Sequence, residues 1–258
     1  MVGMLILFPS SEGKSAAAVG EPVCLGDLSF PCLTGAREAV VDELVRVSAL
    51  EEAPEILKVG ASLGGEVERN TRLWSEPAMA AAQVYSGVLF EAFGYGSLSA
   101  AGRARADESV LVISAAWGAV RLVDAIPAYR LSMGTKLGEM GDTAKFWKGE
   151  LADALDEFAG DQLILDGRSA AYAKVWSPHP SRHLLVRVER VQADGARKVV
   201  SHMAKHYRGL LGRYVVEQGL TGLEQAEELV QALSGAFEVE LVAPTSKKAG
   251  TLTLLVRD

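Results

Sequence analysis

The sequence predicts a mixed α/β fold, a single compact unit over residues 1–258 with a central mixed sheet and a C-terminal helix-hairpin-helix-like element. Three observations predict it. Six short apolar runs have the length and composition of strands, capped helical patterns lie between them, and no Pro-, Gly- or Ser-rich linker or internal repeat divides the chain. With 49% apolar residues there is ample material for a large core.

The first run, Met4–Phe8, leads into Pro9-Ser10-Ser11-Glu12-Gly13-Lys14-Ser15. Gly-Lys-Ser after a strand invites comparison with a phosphate-binding loop, but that motif needs a Gly where Phe8 stands. Lys14 remains a candidate anion-binding or catalytic group, because ligands favour the C-terminal edge of strands in α/β sheets. Ser48-Ala-Leu-Glu51 fits a capping box at a helix start. Pro77 fits the first turn of a helix running to about Phe93.

Val110–Ser114 is the second strand, and the segment after it, Trp117 to Gly134, is dense in directional chemistry. Arg121 and Asp124 are three apart, the spacing of an ion pair on a helix. Arg121 and Arg130 are candidates for gripping phosphate or carboxylate, and Asp124 for holding Arg121 or for acid/base work. Trp117, Tyr129 and Trp147 read as core. Asp142 fits the N-cap of a helix through Phe158. Leu163–Asp166 is a strand that places Asp166, another acid/base candidate, at its end, and Ser169 fits the cap of the next helix. His183–Val191, Phe237–Val242 and Thr251–Val256 complete the strands, and Thr221-Gly-Leu-Glu224 fits a second capping box.

The chain carries a formal net charge of −7, yet Ala196 to Val216 holds five Lys/Arg, two His and no acidic residue, which leaves −12 on the rest. At about 100° per residue, a helix over 198–217 gathers Lys198, His202, Lys205, His206, Gly209 and Arg213 within one arc, with Val200, Met203, Tyr207, Leu210, Leu211 and Tyr214 opposite. Segregated cations point to an anionic partner. Arg208 lies off the arc but is counted with Lys205 and Arg213 as a contact to backbone phosphates, supported by Lys14, Arg121 and Arg130. Gly209, at its centre, is a point of close approach, either for a phosphate or for a packed helix.

Several classes are set aside. Met4–Phe8 is far too short to span a membrane, and no leader precedes it, so a cytoplasmic location is expected. Cys24 and Cys32 have no partner set for zinc or a disulfide framework and read as reduced, structural residues. The histidines fall in pairs four apart, His179 with His183 and His202 with His206, but Pro178 and Pro180 break the first and no third ligand stands beside the second, so neither a metal nor a cofactor is expected.

Together these segments resemble the YaaA family, bacterial cytosolic proteins linked to peroxide stress, in its actinobacterial form. The resemblance is carried by Gly118-Ala-Val-Arg121, Asp124, Tyr129-Arg130-Leu131 and Met133-Gly134. Tyr85-Ser-Gly87, Phe146-Trp147, Ser169 with Tyr172, and Ala204-Lys205 with Arg208-Gly209 and Arg213 extend it. It implies binding of duplex DNA by a basic cleft and a helix-hairpin-helix element, without sequence preference, and an association with limiting free-iron damage during peroxide stress. Such hairpins hold a phosphate on backbone amides, for which 218–223 supplies a turn. An enzyme acting on a nucleobase, nucleotide or other small anion at the strand edges is the alternative, using Lys14, Arg121, Asp124, Tyr129, Arg130 and Asp166.

Overall fold

Apolar runs buried on both faces set the architecture. Met4–Pro9 (β1), Val110–Ser114 (β2) and Leu163–Asp166 (β4) are buried along their whole length, the signature of parallel strands covered by helices on both sides. The computed structural model describes residues 3–200 and 203–257. The other strands of the main sheet are Gly118–Arg121 (β3), His183–Val191 (β5), Arg197–Val199 (β6), Glu238–Val242 (β7) and Gly250–Arg257 (β8). Among the described residues they form one sheet in the order β7-β8-β5-β4-β1-β2-β3, with β6 paired to β5. The five strands β8, β5, β4, β1 and β2 run parallel, while β7, β6 and β3 are antiparallel additions. No helix is long and apolar enough to cross a membrane, among the described residues.

The six strands expected from sequence are all present within a residue or two. Two more strands of this sheet were missed. Gly118–Arg121 is a strand, not a helix, because Gly118 at φ +71° turns the chain back onto β2, pairing Ser114 with Gly118 and Leu111 with Arg121. Lys198 belongs to β6, paired with Arg190, so the basic helix begins at Ala204 rather than 198.

Helix boundaries depend on particular side chains. Asp142 accepts the Lys145 amide at 2.8 Å and caps Thr143–Ala159, as its position predicts. The helix expected over 77–93 is broken. Met79–Ala80 pairs with Ala125–Ile126, one turn spans Ala81–Val84, and Gly87 at φ +90° redirects the chain into Val88–Phe93. Neither capping box forms: Ser48 ends the helix Thr34–Ser48 and is buried on Asn70, and Thr221 is buried in a turn before Ala226–Leu233. Ser169 stands at an N-cap without a side-chain bond.

Trp117, Tyr129 and Trp147 are core, and the Trp147 indole donates to the Ala115 carbonyl at 2.7 Å. Arg37 is also wholly buried. Its guanidinium ties Thr34–Ser48 to the β3 turn through the carbonyls of Trp117 and Ala119 at 3.1 and 2.9 Å. Cys24 and Cys32 are free but exposed, which corrects their reading as structural residues: they sit in the long excursion after β1 rather than in the core.

Candidate functional site

Strand β1 lies between β2 and β4, and the chain leaves it toward one side and later returns on the other. That reversal opens a crevice at the C-terminal ends of the strands. Pro9 ends β1, and the loop beyond it is zipped to a distant segment: the Ser15 amide donates to Val84 at 2.8 Å, the Ser86 amide to Ser11 Oγ at 3.1 Å, and Lys14 bridges Tyr85.

The zipper lays the Lys14 side chain over aromatic rings. Its Nζ is 4.0 Å from the Tyr129 ring centroid and 5.8 Å from that of Tyr85, and donates to the Ser11 carbonyl at 2.7 Å. The residue as a whole is half-buried, but its ammonium is enclosed. Burial pulls its pKa down to about 7, helped by Arg130 and opposed by Glu12 and Glu66. Beneath it, Tyr129 Oη shares a hydrogen bond with Ser114 Oγ at 2.7 Å and lies 3.5 Å from Tyr85 Oη, while Ser10 Oγ donates to Tyr172 Oη at 3.0 Å. Burial raises all three phenols, so they stay protonated at neutral pH.

Arg130 meets the same loop. Asn70 grips its backbone at 2.8 and 2.9 Å, and its guanidinium is shared between Glu12 at 3.2 Å and Glu66 at 3.5 Å. Beside Lys14, a cavity of about 220 Å³ lies between the 9–13 loop and residues 86–90, with exposed Lys205 on its rim. A second groove, about 650 Å³, opens on the other side of the Arg130–Gly134 segment. Exposed Lys145, Lys148 and Lys174 line it, none held in an ion pair among the described residues, and its carboxylate, Asp142, is engaged at the helix cap. The Met133 backbone links the groove to Tyr172 of the cluster. The opposite end of the sheet has the other sign, with Glu108, Glu157 and Asp161 around Arg121.

The structure therefore divides the candidates read from sequence. Lys14 and Arg130 converge. Arg121 lies at the far end of the sheet, where Nε and Nη2 donate to the Asp107 carbonyl at 3.1 and 2.6 Å. Asp124 is a turn clamp that accepts the Ser29 amide and hydroxyl at 3.1 and 2.8 Å and the Arg121 amide at 2.9 Å, leaving it no acid/base position at the crevice. Asp166 is buried in a bidentate pair with Arg168 at 2.9 and 2.7 Å and bonded to His183 at 2.8 Å. Burial opposes ionisation there, but Arg168 and His183 outweigh it and hold the carboxyl far below the usual range, so it is a poor proton carrier.

The basic helix Ala204–Glu217 docks by an arc that includes the centre of its expected cationic face. A Cβ at Gly209 would overlap the Leu89 carbonyl oxygen and meet Ala92 Cβ at 2.9 Å, so this glycine serves packing against Val88–Phe93 and offers no surface to a phosphate. Arg208 donates to the Val186 carbonyl at 3.0 Å, and burial lowers its pKa. Arg213 donates to Phe93 and Gly94 carbonyls at 3.1 and 2.9 Å. His206 packs edge-on to Tyr207, and His202 lies outside the described residues. Lys205 alone of these reaches the crevice. In the expected hairpin, the second helix carries Glu227 and Glu228 in its first turn, which repel an anion there.

Ser10, Ser114 and the lysines 145, 148 and 174 were not singled out from sequence. Lys145 and Lys148 did leave a trace, since no acidic residue stands four positions from either.

A family model described as peroxide stress protein YaaA matches residues 4–240. A UPF0246 protein of Streptomyces coelicolor is 46% identical over 244 residues, covering 93% of this chain and 94% of that protein. One from Corynebacterium efficiens is 39% identical over 258 residues, covering 98% and 100%. An uncharacterized protein of Campylobacter jejuni is 30% identical over 212 residues, covering 81% and 82%.

Proposed function

This chain belongs to the peroxide stress protein YaaA family, and we propose that it binds the phosphate backbone of duplex DNA along the C-terminal edge of its parallel strands, with the Lys14 crevice at the centre. One observation carries the reading: in a chain of net charge −7, unpaired Lys145, Lys148 and Lys174 line one groove and Lys205 rims the neighbouring cavity, on either side of Arg130. An excess of lysines at one edge, where Glu12 and Glu66 are engaged by Arg130 and Asp142 by a helix cap, and carboxylates at the other orient the molecule on a polyanion. Lysines that reach phosphates fix register without reading bases, so binding is insensitive to sequence. This reading puts the interface on the groove and the cavity rather than on the helix arc favoured by periodicity, from which Lys205 takes part.

Polarisation of a labelled duplex, titrated at several salt concentrations, tests this. The Lys145→Glu/Lys148→Glu/Lys174→Glu variant is expected to lose affinity and to flatten the log–log salt dependence by about 0.9 for each phosphate contact removed. Unchanged affinity and slope would refute the assignment.

A second reading, a small anionic substrate, has its own support in the enclosure of Lys14 beside a cavity of about 220 Å³. Saturable binding of a mononucleotide at a salt-insensitive site, with no duplex binding, is its signature.

A further inference from the structure

We infer that Lys14 is an amine nucleophile, which condenses with an aldehyde carried next to a phosphate group. The inference rests on the phosphate-binding reading only for how the substrate is held.

The surroundings of Nζ are the argument. No carboxylate is within ion-pairing distance of it among the described residues, and its polar contact is one backbone carbonyl, Ser11, at 2.7 Å. The ammonium is packed over the Tyr129 ring at 4.0 Å, a contact that favours its charge, but the loss of water around it is the larger effect and draws it toward the neutral amine. The charged and titratable groups facing it are Glu12 on its own loop, Glu66 of the helix Gly64–Asn70, Arg130, and the phenols of Tyr85 and Tyr129. With a pKa near 7 a large share of the amine is free at neutral pH, the state that attacks a carbonyl carbon.

The chemistry is self-contained. The amine lone pair forms the N–C bond as the carbonyl π pair moves to oxygen, and a proton passes from nitrogen to that oxygen to give a carbinolamine. A further proton then converts the hydroxyl to leaving water, and the nitrogen lone pair forms the C=N bond of an iminium ion. The Tyr129 and Tyr85 rings hold the amine from beneath while their hydroxyls are engaged with Ser114 and with each other, so water carries the protons of both steps. Arg130 supplies the phosphate partner. It is held by the Glu12 carboxylate and carbonyl, each at 3.2 Å, and by Glu66 at 3.5 Å, contacts that an incoming anion would replace, and Lys205 lines the adjoining cavity. An aldehyde beside a phosphate arises in two ways, as the ring-opened sugar at an abasic position in duplex DNA or as a free phosphorylated sugar aldehyde.

Reductive trapping tests this. The protein is incubated with sodium cyanoborohydride and either a duplex bearing one abasic site or glyceraldehyde 3-phosphate, and the adduct is mapped by peptide mass. The expected result is one adduct per chain, on the Lys14 peptide, forming faster as pH rises through about 7, abolished in Lys14→Arg and retained in Lys247→Arg, a change in an exposed loop. The arm that traps faster at equal aldehyde concentration identifies the source. No adduct from either aldehyde, or modification spread over surface lysines with the Lys14 peptide untouched, overturns the inference; mapping on the unaltered protein makes this independent of whether Lys14→Arg folds. Binding of an intact duplex, measured in parallel, separates the two readings. Salt-dependent binding without trapping sinks only the nucleophile, and trapping of the small aldehyde without duplex binding sinks only the DNA surface.

Discussion

Replacing Gly209 by alanine separates a packing glycine from a ligand-contact glycine. On an exposed helix face the change gains about 1 kcal/mol of helix propensity. Here the added Cβ would overlap the Leu89 carbonyl oxygen and stand 2.9 Å from Ala92 Cβ and 3.0 Å from the Phe93 nitrogen. Two of these atoms are backbone and cannot rotate away. Restoring an ordinary separation of about 3.5 Å requires Ala204–Glu217 and Val88–Phe93 to part by roughly 1 Å over one of the main helix contacts. Overpacking of this kind costs typically about 1–3 kcal/mol. With a backbone obstacle the upper part of that range applies, and after the propensity gain about 1–2 kcal/mol of destabilisation remains. For a chain of this length that lowers Tm by about 2–4 °C. Urea and thermal unfolding followed by circular dichroism, on Gly209→Ala beside the unaltered protein, read this directly. A Tm that is unchanged or higher would refute the packing account and return Gly209 to the open face that periodicity suggested.

Other outcomes follow from the same contacts. Arg213→Met removes tethers to Phe93, Gly94 and Ser97 and is expected to cost about 1–3 kcal/mol in urea unfolding while leaving the salt slope of duplex binding unchanged; a flattened slope would make Arg213 a phosphate contact. Asp166→Asn strands the buried Arg168 charge and should destabilise by about 3–5 kcal/mol. Because the folded Asp166 pKa is depressed, the stability it confers is fully present above the unfolded value of about 3.9 and is lost as pH falls below it toward the folded value, so acid unfolding curves of the Asn variant should be flatter. Lys14 has the opposite consequence. Its pKa falls from 10.5 to about 7, so the unfolded chain binds the extra proton between those values, stability rises with pH across that window, and the penalty is complete below it. Lys14→Met should therefore stabilise the protein at pH 6 and flatten the rise toward pH 9; equal slopes would mean the ammonium is solvated. Gly118→Ala, at φ +71° with the Trp147 ring 2.5 Å from the new Cβ, should lower stability by about 2–4 kcal/mol.

The sequence by itself determined six of the eight strands of the main sheet, the family and the Lys14 loop. Strands buried on both faces are continuous apolar runs, and such runs survive as a local signal, which is why all six expected strands are present. Asp142 was legible as a cap because its partner, the Lys145 amide, is three residues away. The Lys14 loop was legible because the end of a strand is a local landmark. Tertiary structure decided the rest, wherever the partner of a side chain is far along the chain. Periodicity puts Gly209 and Arg213 on an open face, but Val88–Phe93, more than a hundred residues earlier, covers one and takes the hydrogen bonds of the other. Arg121 and Arg130 are nine residues apart in sequence and at opposite ends of the sheet in space, because Gly118 reverses the chain into β3. Lys145, Lys148 and Lys174 become a groove only when β4 places Lys174 beside the start of Thr143–Ala159. Burial over Tyr129, which no spacing encodes, turns an ordinary loop lysine into an amine that titrates near neutrality.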